Sequence, residues 1–203
     1  ESVNYCSNSC DDLKKVADDI KELRREVQTL TTNNKNLETE NRKLTSRLEE
    51  IEQYQRANNL EIKGAPEEGD PTTIVKQIAE IVGEPITDAD IDICHRVPTQ
   101  KPTEKNFIVR LVQRSKRNSL MQKCKKKRMT TSDLGAAGAA SPVYVNEHLT
   151  RQNKQNLGAA IARKRLVGWK FVWSSGGRVY ARKNETSPVI RIADLDDIEK
   201  MTG

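Results

Sequence analysis

From Leu13 onward, apolar positions recur at alternating spacings of three and four: Leu13, Val16, Ile20, Leu23, Val27, Leu30, Asn34, Leu37, Asn41, Leu44, Leu48 and Ile51, with Asn twice in place of an apolar residue. This is a heptad repeat, and no Gly or Pro occurs before Gly64 to interrupt it. With Leu13 at a, the d layer is Val16, Leu23, Leu30, Leu37, Leu44 and Ile51; the a layer continues through Ile20, Val27, Asn34, Asn41 and Leu48. A stripe two positions wide suits a helix that packs against copies of itself. A surface helix of a globular domain needs a broader apolar face. The pattern predicts a parallel coiled coil over residues 11–56, about 60 Å long at roughly 1.5 Å per residue. Ile and Val at a, Leu at d and buried Asn favour two strands. Against that, Arg47-Leu48-Glu49-Glu50-Ile51-Glu52 matches an Arg-apolar-x-x-apolar-Glu signature of parallel trimers, in which Arg47 at g reaches Glu52 at e of a neighbour. A homotrimer is favoured over a dimer.

After Ile51 the period changes. Leu60 and Ile62 alternate with Glu61 and Lys63 and stop at Gly64 and Pro66, which predicts a half-buried strand. A helix follows from Asp70-Pro71-Thr72-Thr73, with Ile74, Val75, Ile78, Ile81 and Val82 on one face and Gly83 and Pro85 at its end. "DIDICHRV" reads as a second strand with Ile91, Ile93 and His95 on one face, and "NFIVRLV" as a third with Phe107, Val109 and Leu111 facing the core. "QRSKRNSLMQKCKKKR" is a basic helix, "TTSDLGAAGAAS" a loop and "PVYVNEHL" a fourth strand. The order βαββαβ is that of ferredoxin-like and RRM domains, and assigns residues 57–148 to one RRM-like domain.

Residues 149–203 form a further small α+β unit. Thr150 caps a helix that Gly168 stops, and "WKFVW", "SSGG" and "RVYARK" make a hairpin, followed by a short strand and a closing helix. Trp169, Phe171 and Trp173 alternate; they are read as the core of this unit, a base-stacking platform being the other use of such a pattern. The fold class is therefore α+β: a coiled coil, an RRM-like domain and a small C-terminal domain.

Charge adds a direction. The net charge of +6 divides into 10 Lys+Arg against 12 Asp+Glu in residues 1–56, 3 against 9 in 57–98, and 22 against 8 in 99–203. The basic half points to a polyanion. The candidate phosphate contacts are Lys63, Arg110, Arg114, Lys116, Arg117 and Lys123 in the RRM-like domain, and Lys154, Arg163, Lys164, Arg165, Lys170, Arg178, Arg182 and Lys183 in the last unit. The run Lys125 to Arg128 fits either a phosphate surface or a nuclear import signal. With Glu61 and Lys63 outward on the first strand, and Ile108, Arg110 and Val112 outward on the third, no aromatic is left on the open sheet. Binding there is expected to rest on phosphate neutralisation rather than base stacking.

The chemistry of catalysis finds no foothold: His95 and His148 are the two histidines, neither lies in a nucleophile motif, and there is no phosphate loop or paired-carboxylate pattern. The protein is expected not to be an enzyme and to need no cofactor or metal. Cys6 and Cys10 would suit the last ligands of an upstream zinc finger, residues 1–10 being otherwise disordered; Cys94 and Cys124 are scattered and fit a reducing compartment. No apolar run approaches the roughly 20 residues of a membrane span. A chain that opens on Glu is expected to be a fragment.

A coiled coil ending in "RANNLEIKG", the strand "NFIVRLV" running into an Arg/Lys helix, and the tail "PVYVNEHLT…GWKFVWSSGGRVYARKNETSPVIRI" together resemble the first open-reading-frame proteins of LINE-type retrotransposons. The tail also resembles the C-terminal domain of the baculovirus few-polyhedra (FP) protein. The resemblance spans about residues 11–203. It implies a homotrimeric single-stranded RNA-binding protein and nucleic-acid chaperone, in a cytoplasmic or nuclear ribonucleoprotein, with DNA the alternative ligand. The retrotransposon family carries an RNA-contacting Arg pair in the first helix of its C-terminal domain; the corresponding positions here fall near Asn156 to Gly158, with Lys154 and Arg163 the nearby cations. An interaction scaffold of few-polyhedra type is the other function the sequence allows.

Overall fold

The computed structural model describes residues 2–66, 68–98 and 106–203, with side chains from residue 13 onward. The chain is mixed helix and sheet with a long N-terminal helix, α1 (Ser2–Gln55). Residues 2–10, expected to be disordered or the end of a zinc finger, are helical backbone, consistent with a stretch free of Gly and Pro. The side chains of Cys6 and Cys10 lie outside the described residues. Contacts divide the chain into two compact units, residues 1–48 and 49–203. Within the first, the a and d side chains have nothing over them: Leu13 is 68% exposed, Ile20 45% and Leu37 63%. Thr29, Thr31, Thr32 and Thr39 donate their hydroxyls to the carbonyls four residues back, so each shares an acceptor with the helix ladder.

The second unit holds two sheets, each with its own core, and so joins residues 57–148 and 149–203 in one body. The join from α1 is short. Arg56, Ala57 and Asn59 donate to carbonyls three residues back, and the Asn58 amide donates to the carbonyls of Leu111 and Val112, each at 3.1 Å, so the helix end is fastened to the neighbouring strand before β1 begins.

The first sheet comprises β1 (Asn59–Lys63), β2 (Ile91–Val97), β3 (Asn106–Leu111), β4 (Met129–Thr130) and β5 (Pro142–Glu147), in the order β2-β3-β1-β5-β4, antiparallel throughout. α2 (Pro71–Ile81) and α3 (Arg114–Lys126) cover one face: Leu60, Ile62, Phe107, Val109, Leu111 and Val145 meet Ile74, Val75 and Ile78 of α2 and Leu120, Met121 and Cys124 of α3. The start signal of α2 works as read, since the Asp70 carboxylate accepts the Thr73 N–H at 2.9 Å.

Three expectations fail here for local reasons. A bulge between Ile91 and Ile93 flips the face of β2, so Ile91 packs on the core while Ile93 and His95 lie outward. Glu61 and Ile108, expected in solvent, are 4% and 9% exposed; Lys154 of the last unit reaches over β1 to Glu61, at 3.0 Å, and Ile108 stands beside Glu61 in the pairing of β1 with β3. The stretch "TTSDLGAAGAAS" is only partly loop: Met129–Thr130 pairs with β5, and Thr131–Leu134 makes a 3₁₀ turn closed by Asp133, whose carboxylate accepts the Thr130 N–H and hydroxyl.

The second sheet consists of β6 (Phe171–Ser175), β7 (Arg178–Arg182) and β8 (Ile190–Ile192), paired in that order, with α4 (Arg151–Val167) on one face. Thr150 accepts the Asn153 N–H at 3.2 Å and Gly168 ends the helix at φ 71°. Gly176 and Gly177, at φ 60° and 76°, form the two-residue turn between β6 and β7. The closing helix is a 3₁₀ turn, Asp196–Lys200. Ala160, Val179, Ala181, Ile192 and Met201 fill the core, with Trp169 donating its indole N–H to the Thr202 carbonyl at 2.8 Å.

Candidate nucleic-acid interface

Strand pairing decides which side chains share a surface. On the outer side of the first sheet, Lys63 stands opposite Tyr144, Glu61 opposite Asn146 and Ile108, and Asn59 opposite Arg110. Tyr144 is 57% exposed. An aromatic therefore does stand on this open face, contrary to the expectation from the first and third predicted strands, and it comes from β5. Ile93 and His95 are exposed on the same side.

The candidate cations separate into three kinds. Arg117 is the plain correction: it is 7% exposed, its Nη2 lies 3.5 Å from Glu147 Oε1 and its Nε donates to the Asn59 carbonyl at 3.3 Å. Its place on the α3 face that packs on the sheet makes it a structural tie rather than a phosphate contact, and burial pulls its guanidinium below the usual range against the opposing pull of Glu147.

A second group is accessible but already paired. Arg110 meets Asp92 at 3.1 Å, Lys116 meets Asp90 at 2.8 Å, Lys123 meets Glu84 at 2.6 Å and Lys170 meets Glu185 at 3.2 Å. Lys154 and Lys63 converge on Glu61 at 3.0 and 3.8 Å. Arg114 lies 4.8 Å over the Tyr54 ring and donates to Asn58, while Arg163 donates to the Met201 carbonyl. The Lys116 hydrogen bond, with the Thr87 N–H, brings the Asp90 carboxyl down to about 2, and Lys123 lowers that of Glu84. The exposed pairs, Arg110–Asp92 and Lys170–Glu185, are worth about 0–1 kcal/mol, so a phosphate can exchange for the carboxylate there; Glu61 is buried and holds Lys154 and Lys63 more firmly.

The third group forms no ion pair among the described residues: Lys164, Arg165, Arg178, Arg182 and Lys183 in the last unit, Lys125 and Lys126 in the last turn of α3, and Arg128 after it; Arg182 feels Glu185 only at a distance. Arg182 Nε is a buried donor without an acceptor. Asn156, in the stretch Asn156 to Gly158 that the resemblance set beside an Arg pair, is fully buried, donating to the Ala193 carbonyl at 2.8 Å and accepting from Gln152. It holds α4 to the chain after β8 and is closed to a ligand.

Two polar centres join the halves of this unit. The Glu147 carboxylate accepts the N–H groups of Gly176 and Gly177 at 2.9 and 3.2 Å. Gln53, on the last turns of α1, donates to the His148 carbonyl and accepts from the Thr150 and Asn153 nitrogens, all at 3.0 to 3.1 Å. His148 itself has Nδ1 3.1 Å from the Asn59 amide nitrogen; burial, with Lys154 and Arg56 nearby, pushes its pKa down to about 4. No signal in the sequence marked Glu147 or Gln53, since each acts across more than 25 residues.

The three alternating aromatics do not share one environment. Trp169 precedes β6 and is 8% exposed, in the core as expected. Phe171 and Trp173 lie on the other face: their neighbour Val172 is the one that packs on the core, and Phe171 is 38% exposed. Among the described residues no group of three or more His, Cys, Asp or Glu is placed to hold a metal, and no helix is long and apolar enough to cross a membrane. Cys94 and Cys124 are free thiols that burial raises to about 11.

Residues 150–202 match a protein-family model described as Baculovirus FP protein domain 2. The matched segment starts at the cap of α4 and includes the whole three-stranded sheet. No curated protein matches the chain.

Proposed function

We propose that this is a single-stranded nucleic-acid binding protein and chaperone of retrotransposon or FP type, with RNA as the ligand, gathered into a homotrimer by the coiled coil. The observation that carries the reading is the surplus of cations that form no ion pair among the described residues, within a segment of 22 basic against 8 acidic side chains. A surplus of this size attracts a polyanion and is poorly explained by solubility alone. The strand order β2-β3-β1-β5 with two helices on one face supports an RRM-like assignment for residues 57–148. The exposed a and d stripe supports self-association, because about ten large apolar side chains in water on one helix is a strong drive to pair with copies of it.

Titration of fluorescent single-stranded RNA at graded salt tests the reading. Affinity is expected to fall steeply, by about 0.7 log units per log unit of salt for each phosphate contacted. Replacing Lys164 and Arg165 by Ala should reduce the slope by one or two such contacts. Weak binding with no salt slope would overturn it. The match of residues 150–202 to an FP domain favours a second reading, an interaction scaffold or trafficking adaptor, which that same flat result would leave standing.

A further inference from the structure

Across β6, β7 and β8 the pairs Val172–Ala181–Ile190 and Ser174–Val179–Ile192 bring Val172, Ala181, Ile190, Val179 and Ile192 to the core. The intervening positions therefore make up the opposite face: Phe171 beside Arg182, Trp173 beside Tyr180 beside Arg191, and Ser175 beside Arg178. Trp173 and Tyr180 are stacked, with ring centroids 5.8 Å apart and planes inclined by 25°. No acidic side chain belongs to this face of the three strands. Arg178 has no partner among the described residues, and Arg191 has an exposed contact with Glu50 at 3.4 Å that a phosphate can replace.

Three aromatic rings on one face, Phe171 exposed and Trp173 and Tyr180 half-buried, with three arginines and no acidic residue on the strands themselves, is the chemistry that holds an unpaired strand: each base has a π-face to stack, and each phosphate needs a cation close to it. We propose that the outer face of the three-stranded sheet is a base-stacking platform for single-stranded nucleic acid, with Phe171, Trp173 and Tyr180 under the bases and Arg178, Arg182 and Arg191 at the backbone. The charge of the face selects this occupant over an apolar protein segment, which would leave three arginines unpaired. The inference rests on the nucleic-acid reading above but differs from it in kind, because phosphate contacts alone do not distinguish a base from its absence.

An abasic oligonucleotide of equal length separates the two. The full chain should bind a single-stranded oligonucleotide with quenching of tryptophan fluorescence, and bind the abasic strand more weakly and without quenching. Trp173→Ala with Tyr180→Ala should lose about 10- to 100-fold in affinity for the base-bearing strand and little for the abasic one. Tyr180→Phe, which keeps the ring, should bind as the parent does, and thermal melting identifies any variant that fails to fold. If the parent binds both strands equally and without quenching, the platform is overturned while salt-dependent binding survives. If it binds neither, both proposals fall, and a protein partner becomes the occupant of this face.

Discussion

Arg117 Nη2 lies 3.5 Å from Glu147 Oε1, and the same carboxylate accepts both backbone N–H groups of the Gly176-Gly177 turn. One side chain at the end of β5 thus ties α3 of the first layer to the hairpin tip of the second sheet. Glu147→Ala would leave a buried guanidinium without its counter-charge, held only by the Asn59 carbonyl and Asn118, and two turn amides without an acceptor. A loss of about 3–5 kcal/mol is expected in urea unfolding, the usual cost of removing one member of a buried pair. Pairing it with Arg117→Met should restore a large part.

Gly177 serves the same junction from the other side. Its φ of 76° is one that L side chains rarely adopt, and a Cβ there would overlap the Gln53 side chain. Gln53 in turn supports His148, Thr150 and Asn153. Gly177→Ala should cost about 1–3 kcal/mol by the same measurement.

His148 makes the body acid-sensitive. Its folded pKa of about 4 lies below the ordinary 6.5, so between these values the unfolded chain binds the proton that the folded one refuses. The stability it supports is complete above pH 6.5 and is lost as pH falls towards 4, by at most about 3 kcal/mol. Urea midpoints recorded from pH 7 to 4 should fall, and His148→Gln should flatten that part of the profile.

The coiled-coil stripe gives a separable prediction. Leu30→Glu with Leu37→Glu places charges in two successive d layers, and light scattering should then report a single-chain mass. Residues 49–203 form their own compact unit, so the melting of that body should be unchanged. Asn34→Leu with Asn41→Leu should raise the stability of the assembly and loosen its register or chain number.

Much of the architecture was written locally. Heptad spacing marked α1, alternation marked β1 and β3, and Asp70, Thr150 and Gly168 marked helix ends, because each signal involves residues within a turn or two of one another. Legibility stopped where distant segments meet. The sequence could count cations in residues 99–203, but nothing near Arg117 shows that Glu147, 30 residues on, would bury it.

The sequence by itself determined the heptad helix, the order of elements and the basic second half, since periodicity and charge are properties of neighbours in the chain. Only the tertiary structure decided which face each side chain serves. A bulge turned Ile93 outward, Lys154 closed over Glu61, and the pairing of β6 with β7 put Trp173 beside Tyr180 on the face away from the core. Those outcomes depend on strand register and on contacts between residues far apart in sequence, and a period of two cannot say which of its two sides will be covered.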